Sequence, residues 1–441
     1  MIEKLTRLIK KIPYLYSEKT SVFLFLIFAL LNGIYFVNNF FLYFLNKNDN
    51  ADEYYQNNLY SIANFSIDKL FYTPSQPYIF ISSLCNVFLH NPKMATRSVS
   101  LVFSFLLIIF FVKKIIATTA DVKEKVFKAS FFIFTIYITN QHYIGTSDFL
   151  SYLFIIASFF LFIDNDGLKN QDLPIKKSVL IGLLFAFAIA TRPTSLILIG
   201  SFYMALFLVF GIKSIFNKSN SYICSSLAFF FFVINSVPII QKGIVVLDVK
   251  EIPKETGVTW FERNYLMAKF WDSNQRPTTQ WVSTQEVIEF KKKNPNFIFP
   301  KNQLEILYRE PGLFARQMTR MLIKAMYSSF RFIYFLFPLL LLTLNKKWLK
   351  WIKIEEPLLL QSKVIVLLHL ISIFIFSFVA VKLFEFRWVI PTLILYVYFS
   401  LKLVASLPKN VRYLIYNLCF LSGIVMYIYF FSKTGIVHVN G

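Results

Sequence analysis

Acidic side chains are scarce in this chain. Asp and Glu together number 24 in 441 residues, against 46 Lys and Arg, and charged residues make up only 16%. A soluble domain carries about 25% charge, so this deficit excludes a water-soluble enzyme. Cysteine is nearly absent. Cys85, Cys224 and Cys419 form an odd, scattered set with no CxxC, which gives no disulfide framework. Four dispersed histidines (His90, His142, His369, His438) make no zinc-binding pattern. Gly/Ser linkers, low-complexity tracts and sequence repeats are missing as well.

What is present is apolar. Hydrophobic residues reach 56%, and Phe alone occurs 53 times. Apolar runs of about 20 residues recur, each long enough to cross a bilayer as a helix, and about eleven can be counted. The expected fold class is therefore all-α, a polytopic membrane protein. The formal charge of +22 raises the question of nucleic acid. Most lysines sit in short segments between apolar runs, the pattern of cytoplasmic loops, so membrane lipids and not nucleic acid are the expected partner.

Thr20 to Leu45 has no charged residue and follows Lys4, Arg7, Lys10, Lys11 and Lys19. It is too long for the apolar core of a signal peptide and is read as the first membrane helix, with its N-terminus inside. Alternation then places 46–97 outside as a first loop. Further helices are expected at 98–112, 127–144, 148–163, 178–190, 194–212 and 221–240. Residues 241–325 form a long outer helical segment, and 326–441 hold the last spans, at 326–344, 364–381, 388–404 and 412–432. The C-terminus falls outside. The short loops with Lys113–Lys128, Lys169–Lys177, Lys213–Lys218, Lys346–Lys353 and Lys409–Arg412 all fall on one side, as positive-inside asymmetry requires. Within the long segment, Ser283 with Glu286 fits a capping box, and Asn302 to Arg309 reads as a helix stopped before Pro311. Trp260, Trp271 and Trp281 offer flat faces for a sugar, or a core for this segment.

Four places carry candidate chemistry. The first is Asp49 to Gln56, after the first helix. It is either a solvated loop or a helix, which would put Asp52 and Gln56 on one face and point Glu53 elsewhere. A carboxylate held there at an apolar wall suits a general base. Asp148, after Gly145-Thr146-Ser147, is either a helix N-cap group or part of a site on the same side. Arg192, in Thr191-Arg192-Pro193, lies between two apolar runs with almost no loop. It either snorkels from a helix end or faces an anion, because a lone Arg at membrane depth costs about 2.5–3.5 kcal/mol. Last come Lys382, Glu385 and Arg387 before Pro391. Glu385 and Arg387 either pair with each other or line a cavity separately, and a guanidinium matches phosphate well.

In this order and sidedness the motifs resemble the C-type membrane glycosyltransferases (GT-C), which include protein O-mannosyltransferases and bacterial aminoarabinose transferases. The resemblance rests on Asp52-Glu53, Ala95-Thr96-Arg97-Ser98, Ser147-Asp148, Thr191-Arg192-Pro193, Glu385-x-Arg387-Trp388 with Pro391, and Tyr308 to Gly312. Trp388 stands where the family usually has Tyr. The resemblance implies a sugar donor on a polyprenyl phosphate and a hydroxyl acceptor on a cell-envelope glycan, lipid or protein. It implies inverting transfer at the outer face of the cytoplasmic membrane. Asp52 would be the general base, with Glu53 the second choice. Arg192, Arg387 and Lys382 would hold the donor phosphate, and Asp148 would orient the acceptor or the first loop. Gln56, Arg97 and Glu385 would support them. Some relatives use a divalent metal; lacking a dense carboxylate cluster, this chain is expected to work without metal or other cofactor. The alternatives are an O-antigen or capsule polymerase, and a lipid-linked-glycan transporter, which would bind near the midplane.

Overall fold

A computed structural model describes residues 17–46, 55–59, 62, 67–137, 139, 144–163, 173–243, 245–246, 257–275, 282–345, 354–379 and 385–434. All regular structure among them is helical. The elements that position the site are, in chain order, α1 (Glu18–Asn39, running on as a π-helical stretch Phe40–Asn46), α2 (Gln76–Leu89), α3 (Pro92–Thr118), α4 (Val122–Tyr137) and α5 (Asp148–Ile163). Then come α6 (Ile175–Thr191), α7 (Ser195–Phe210), α8 (Lys218–Ile234) and α9 (Ser236–Lys242). The long segment between the two groups of apolar helices supplies α10 (Trp260–Asp272), α11 (Thr284–Lys293) and α12 (Gln303–Arg309). The chain closes with α13 (Pro311–Ile333), α14 (Leu336–Leu341), α15 (Glu356–Val379), α16 (Ile390–Ala405) and α17 (Lys409–Thr434).

Five of the described helices are long and apolar enough to cross a membrane: Glu18–Asn39, Pro92–Thr118, Glu356–Val379, Phe386–Ala405 and Lys409–Tyr429. Counting each bent pair, α8 with α9 at 65° and α13 with Leu336–Leu344 at 108°, as one span raises the number to seven. The expected number was eleven, and several of the other helices are short. A helix such as α5, with 16 residues, rises only about 24 Å, short of the ~30 Å hydrocarbon core. Its side chains are nearly all buried among other helices, so it does not need to match the lipid.

One expectation is corrected. The span expected at 326–344 is not one straight helix, because α13 ends at Tyr334, whose φ of 46° turns the chain sharply into α14. Positive φ is strained for a bulky residue, and the turn is held by Tyr334 N–H donating to Phe330 O at 2.6 Å. The stretch 46–97, expected as the first loop, contains α2, which exposes Phe80, Leu84, Val87 and Phe88. The outer segment follows its local sequence. Ser283 Oγ accepts from Glu286 N–H at 3.2 Å, the first half of a capping box, and α11 begins there. Trp271 is buried in the core of this segment. Arg316 and Arg320 of α13 flank Asp272 of α10, and the Arg316 hydrogen bond holds that carboxyl below its ordinary range.

Polar cross-links sort the helix ends into two sets. At one end, Arg97 Nη1 of α3 donates to Phe44 O at 2.8 Å, and Ser100 Oγ donates to Thr146 O at 2.8 Å. At the other end, Arg412 of α17 meets Glu124 of α4 at 3.3 Å, and Glu18 of α1 pairs with Lys123 and Lys409. There too, Gln361 of α15 donates to Ile163 O at the end of α5 at 3.1 Å. α1, α3, α4, α5, α15, α16 and α17 thus run between the two sets. The 23 residues of α3 from Thr96 to Thr118 cover about 33 Å, close to one bilayer core.

Candidate functional site

The first set of ends holds the candidate site. Ile144 to Ser147 turn tightly into α5, with Thr146 N–H donating to Ile144 O at 2.8 Å. Gly145 is required there by close approach: a Cβ would lie 2.5 Å from Thr96 Oγ1 and 2.8 Å from Thr96 Cβ. This contact fastens the start of α5 to the start of α3.

Asp148 opens α5 and is 0% exposed. Its carboxylate receives side chains from three parts of the chain. Thr146 Oγ1 donates to Oδ2 at 2.7 Å, and Arg192 Nη1 reaches Oδ1 at 2.6 Å. Arg387 Nη1 lies 3.4 Å from Oδ2, and Tyr152 OH lies 3.4 Å from Oδ1. These contacts put Asp148 in a cluster with both arginines, beyond what an N-cap would require.

Arg192 is buried because of the helix break that carries it. Its N–H donates to Ala188 O at 2.8 Å to close α6, and its own carbonyl accepts from Ser195 N–H at 3.0 Å to start α7. Pro193 has no N–H to satisfy, so the chain turns without a loop. Ser151 and Ser195 hydroxyls share a 2.9 Å bond that locks α5 to α7 beneath it. Arg387 comes from a 3₁₀ turn, Phe386–Val389, that leads into α16. Its Nε pairs with Glu385, and its backbone carbonyl accepts from Tyr152 OH at 2.7 Å. Phe386 stacks on Phe332 of α13 at 4.7 Å, and Trp388 packs on Phe376 of α15 at 5.3 Å. The aromatic after Arg387 therefore anchors the turn.

Two guanidinium groups, Asp148 and Glu385 sum to zero formal charge. This balance permits burial, since a buried charge is tolerated only when paired. The Arg387 side chain is 20% exposed and that of Arg192 is 9%, so an anion arriving at the cluster meets Arg387 first.

The stretch after the first helix touches the same place. Tyr55 is buried, and its hydroxyl shares a 2.9 Å hydrogen bond with Ser147 Oγ, next to Asp148. Its ring meets Tyr78 of α2 edge-on at 5.2 Å, and Tyr78 OH donates to Thr96 O at 2.8 Å. Gln56 is half-buried beside Tyr55. Arg97 lies at the same end, where it ties α3 to the Phe44 carbonyl of the π-helical stretch. Asp52, Glu53 and Lys382 lie outside the described residues.

Of the sequence candidates, then, Asp148, Arg192, Arg387 and Glu385 come together. Thr146, Tyr152 and Tyr55 are partners that sequence reasoning does not single out. Tyr152 has a signal, since i and i+4 share a helix face with Asp148. Tyr55 has none. Among the described residues, no three His, Cys, Asp or Glu side chains stand close enough to hold a metal ion. No family model, no curated protein and no solved structure matches this chain.

Proposed function

We propose that this protein is a polytopic membrane glycosyltransferase. It moves a sugar from a polyprenyl phosphate to a hydroxyl of a cell-envelope glycan, lipid or protein. The observation that carries the reading is the convergence of Arg192 and Arg387, 195 positions apart in sequence, on the buried Asp148. A leaving phosphate needs charge stabilisation and no proton, and two guanidinium groups aimed at one place supply it. In this reading the chain crosses the cytoplasmic membrane eleven times, with its N-terminus inside and the site at the outer face. That orientation follows the basic short loops.

The acceptor oxygen attacks the anomeric carbon with inversion. The bond from that carbon to the donor phosphate oxygen breaks, its electron pair stays on the phosphate, and polyprenyl phosphate leaves. Asp52 takes the hydroxyl proton, with Glu53 as the second choice. Asp52 stands three residues before Tyr55, whose hydroxyl bond to Ser147 supports bringing that stretch towards Asp148. Asp148 is a positioning residue that holds both arginines ready, and Glu385 steadies Arg387. Lys382, three residues before Glu385, adds a further cation for the phosphate. The charged contacts gather at helix ends, which favours an enzyme of the outer face over a transporter with a midplane site.

The test is transfer by purified protein in lipid nanodiscs, using a polyprenyl-phosphate sugar and a hydroxyl acceptor. Asp52→Asn is expected to fold and to lose about 100-fold or more in rate, as loss of a general base does. Arg387→Ala is expected to weaken donor binding. Normal turnover by Asp52→Asn would give the base to another residue and would revive a polymerase reading, which needs no acid there. Unchanged donor binding in Arg387→Ala would remove the phosphate assignment.

A further inference from the structure

The apolar middle of the bundle holds a buried polar cluster that the transfer reaction does not use. His369 of α15 is 0% exposed, and both of its ring nitrogens are engaged. Its Nε2 shares a 3.0 Å hydrogen bond with Ser329 Oγ of α13, and its Nδ1 shares one of 2.8 Å with Thr392 Oγ1 of α16. The ring also meets Phe337 of α14 and Tyr396 of α16 edge-on, at 6.3 and 5.4 Å between centroids. An ionisable side chain within a membrane helix is costly, so its partners are where a role is to be sought.

We infer that His369 is a positioning residue for Arg387, acting through Thr392. Thr392 lies in the first turn of α16, and its Oγ1 donates to Val389 O at 2.8 Å. Val389 closes the 3₁₀ turn Phe386–Val389 that carries Arg387. With its proton on that carbonyl, Thr392 accepts from His369 Nδ1–H. Two hydrogen bonds in series then run from α15 to the Arg387 turn. In a neutral imidazole the other nitrogen accepts, and the Ser329 hydroxyl can turn from Ala325 O to donate there. The same helices grip the neighbours of Arg387. Phe332, three residues after Ser329 on α13, stacks on Phe386. Phe376, two turns after His369 on α15, packs on Trp388. His369 therefore bonds α15 to both α13 and α16 about 10 Å below these contacts, and sets the register of the helices that hold the turn. Misplacing a binding group by about 1 Å can cost about 100-fold in rate, so a fixed turn matters to the site. The inference rests on the proposed phosphate role of Arg387 for its binding readout, whereas its backbone readout is independent of that role.

Three variants separate positioning from packing. His369→Asn keeps a polar atom near the place of Nδ1 and with it the Thr392 bond. His369→Gln keeps one near the place of Nε2 and with it the Ser329 bond. Asn is the smaller side chain, so a packing role makes His369→Asn the worse variant, and the positioning role makes His369→Gln the worse one. Thr392→Val removes the link to Val389 at nearly constant volume. The purified full chain in nanodiscs is followed by hydrogen–deuterium exchange over residues 385–392, where Trp388 N–H donates to Glu385 O at 2.9 Å. His369→Gln and Thr392→Val are expected to exchange about tenfold faster there than wild type, as loss of one buried hydrogen bond allows, with 148–163 unchanged. His369→Asn is expected to stay close to wild type. Binding of polyprenyl phosphate is expected to weaken in the same two variants and to survive in His369→Asn. If exchange follows this order and polyprenyl phosphate binds none of the proteins, the positioning stands and the phosphate role of Arg387 falls. The inference is overturned if His369→Gln exchanges no faster than His369→Asn, if Thr392→Val exchanges like wild type, or if the rise spreads equally to 148–163. Unchanged polyprenyl phosphate binding by a variant whose turn has loosened overturns it as well.

Discussion

Asp148 sits between two guanidinium groups with no exposure of its own, so its charge holds the cluster together. Removing one member of a buried pair leaves the other uncompensated, at a cost of about 3–5 kcal/mol. We expect Asp148→Asn to lose stability of that order, measured by thermal unfolding followed through tryptophan fluorescence. Asp148→Glu is expected to recover part of the loss. An Asn variant that melts like wild type would mean that the arginines do not depend on this carboxylate. Much of the cluster was legible from residue type and position. A lone Arg beside a helix-breaking Pro, an Asp opening an apolar helix and a Glu-x-Arg before another helix are each costly at a membrane, and the three do meet. What residue type could not convey is who pairs with whom. The Glu385–Arg387 contact is local, whereas the Arg387–Asp148 contact spans 239 positions. Arg97, at the same end, also makes a contact distant in sequence, donating to the Phe44 carbonyl.

At the scale of the helices, small residues set how closely neighbours approach. A Cβ on Gly182 of α6 would lie 2.5 Å from Ile223 O and 2.9 Å from Leu227 N, both backbone atoms of α8 that cannot swing away. Close contact through small residues is the usual packing mode between membrane helices. Gly182→Val is therefore expected to lower the folded yield and to cost about 1–3 kcal/mol by overpacking. A Cβ on Gly200 of α7 would meet nothing within 4 Å, so Gly200→Ala is expected to be neutral or stabilising by up to ~1 kcal/mol. Thermal denaturation of the two variants side by side checks the contrast, and equal effects would contradict the packing assignment. Helix existence was readable from the apolar runs, because each overlaps a helix, although only five, or seven with the bent pairs, are long and apolar enough to cross a membrane. Helix shape was not. The 108° turn at Tyr334 is signalled only by Pro338, whose ring cannot pack against the carbonyl four residues back in a continuous helix, and α2 is too short for a 20-residue window to find.

At the scale of the whole molecule, two polar layers face away from each other across an apolar middle. α3 carries Thr96 and Arg97 in one layer and Thr118 in the other. In the proposed orientation the Asp148 layer faces out and the Glu124 layer faces in. Cysteines placed after Cys85, Cys224 and Cys419 have been replaced will report this. An impermeant maleimide is expected to label Tyr308→Cys in intact cells, and Thr118→Cys only after lysis. Tyr308 is 92% exposed in the outer segment, so access is not in question. The reversed pattern would invert the topology. The most direct test of the central assignment is a structure of the protein in nanodiscs with polyprenyl phosphate bound. We expect the phosphate within about 3 Å of guanidinium nitrogens of Arg387 and Arg192, beside Asp148, at charge-assisted hydrogen-bond distance. A phosphate seated elsewhere, with both arginines still closed on Asp148, would contradict it.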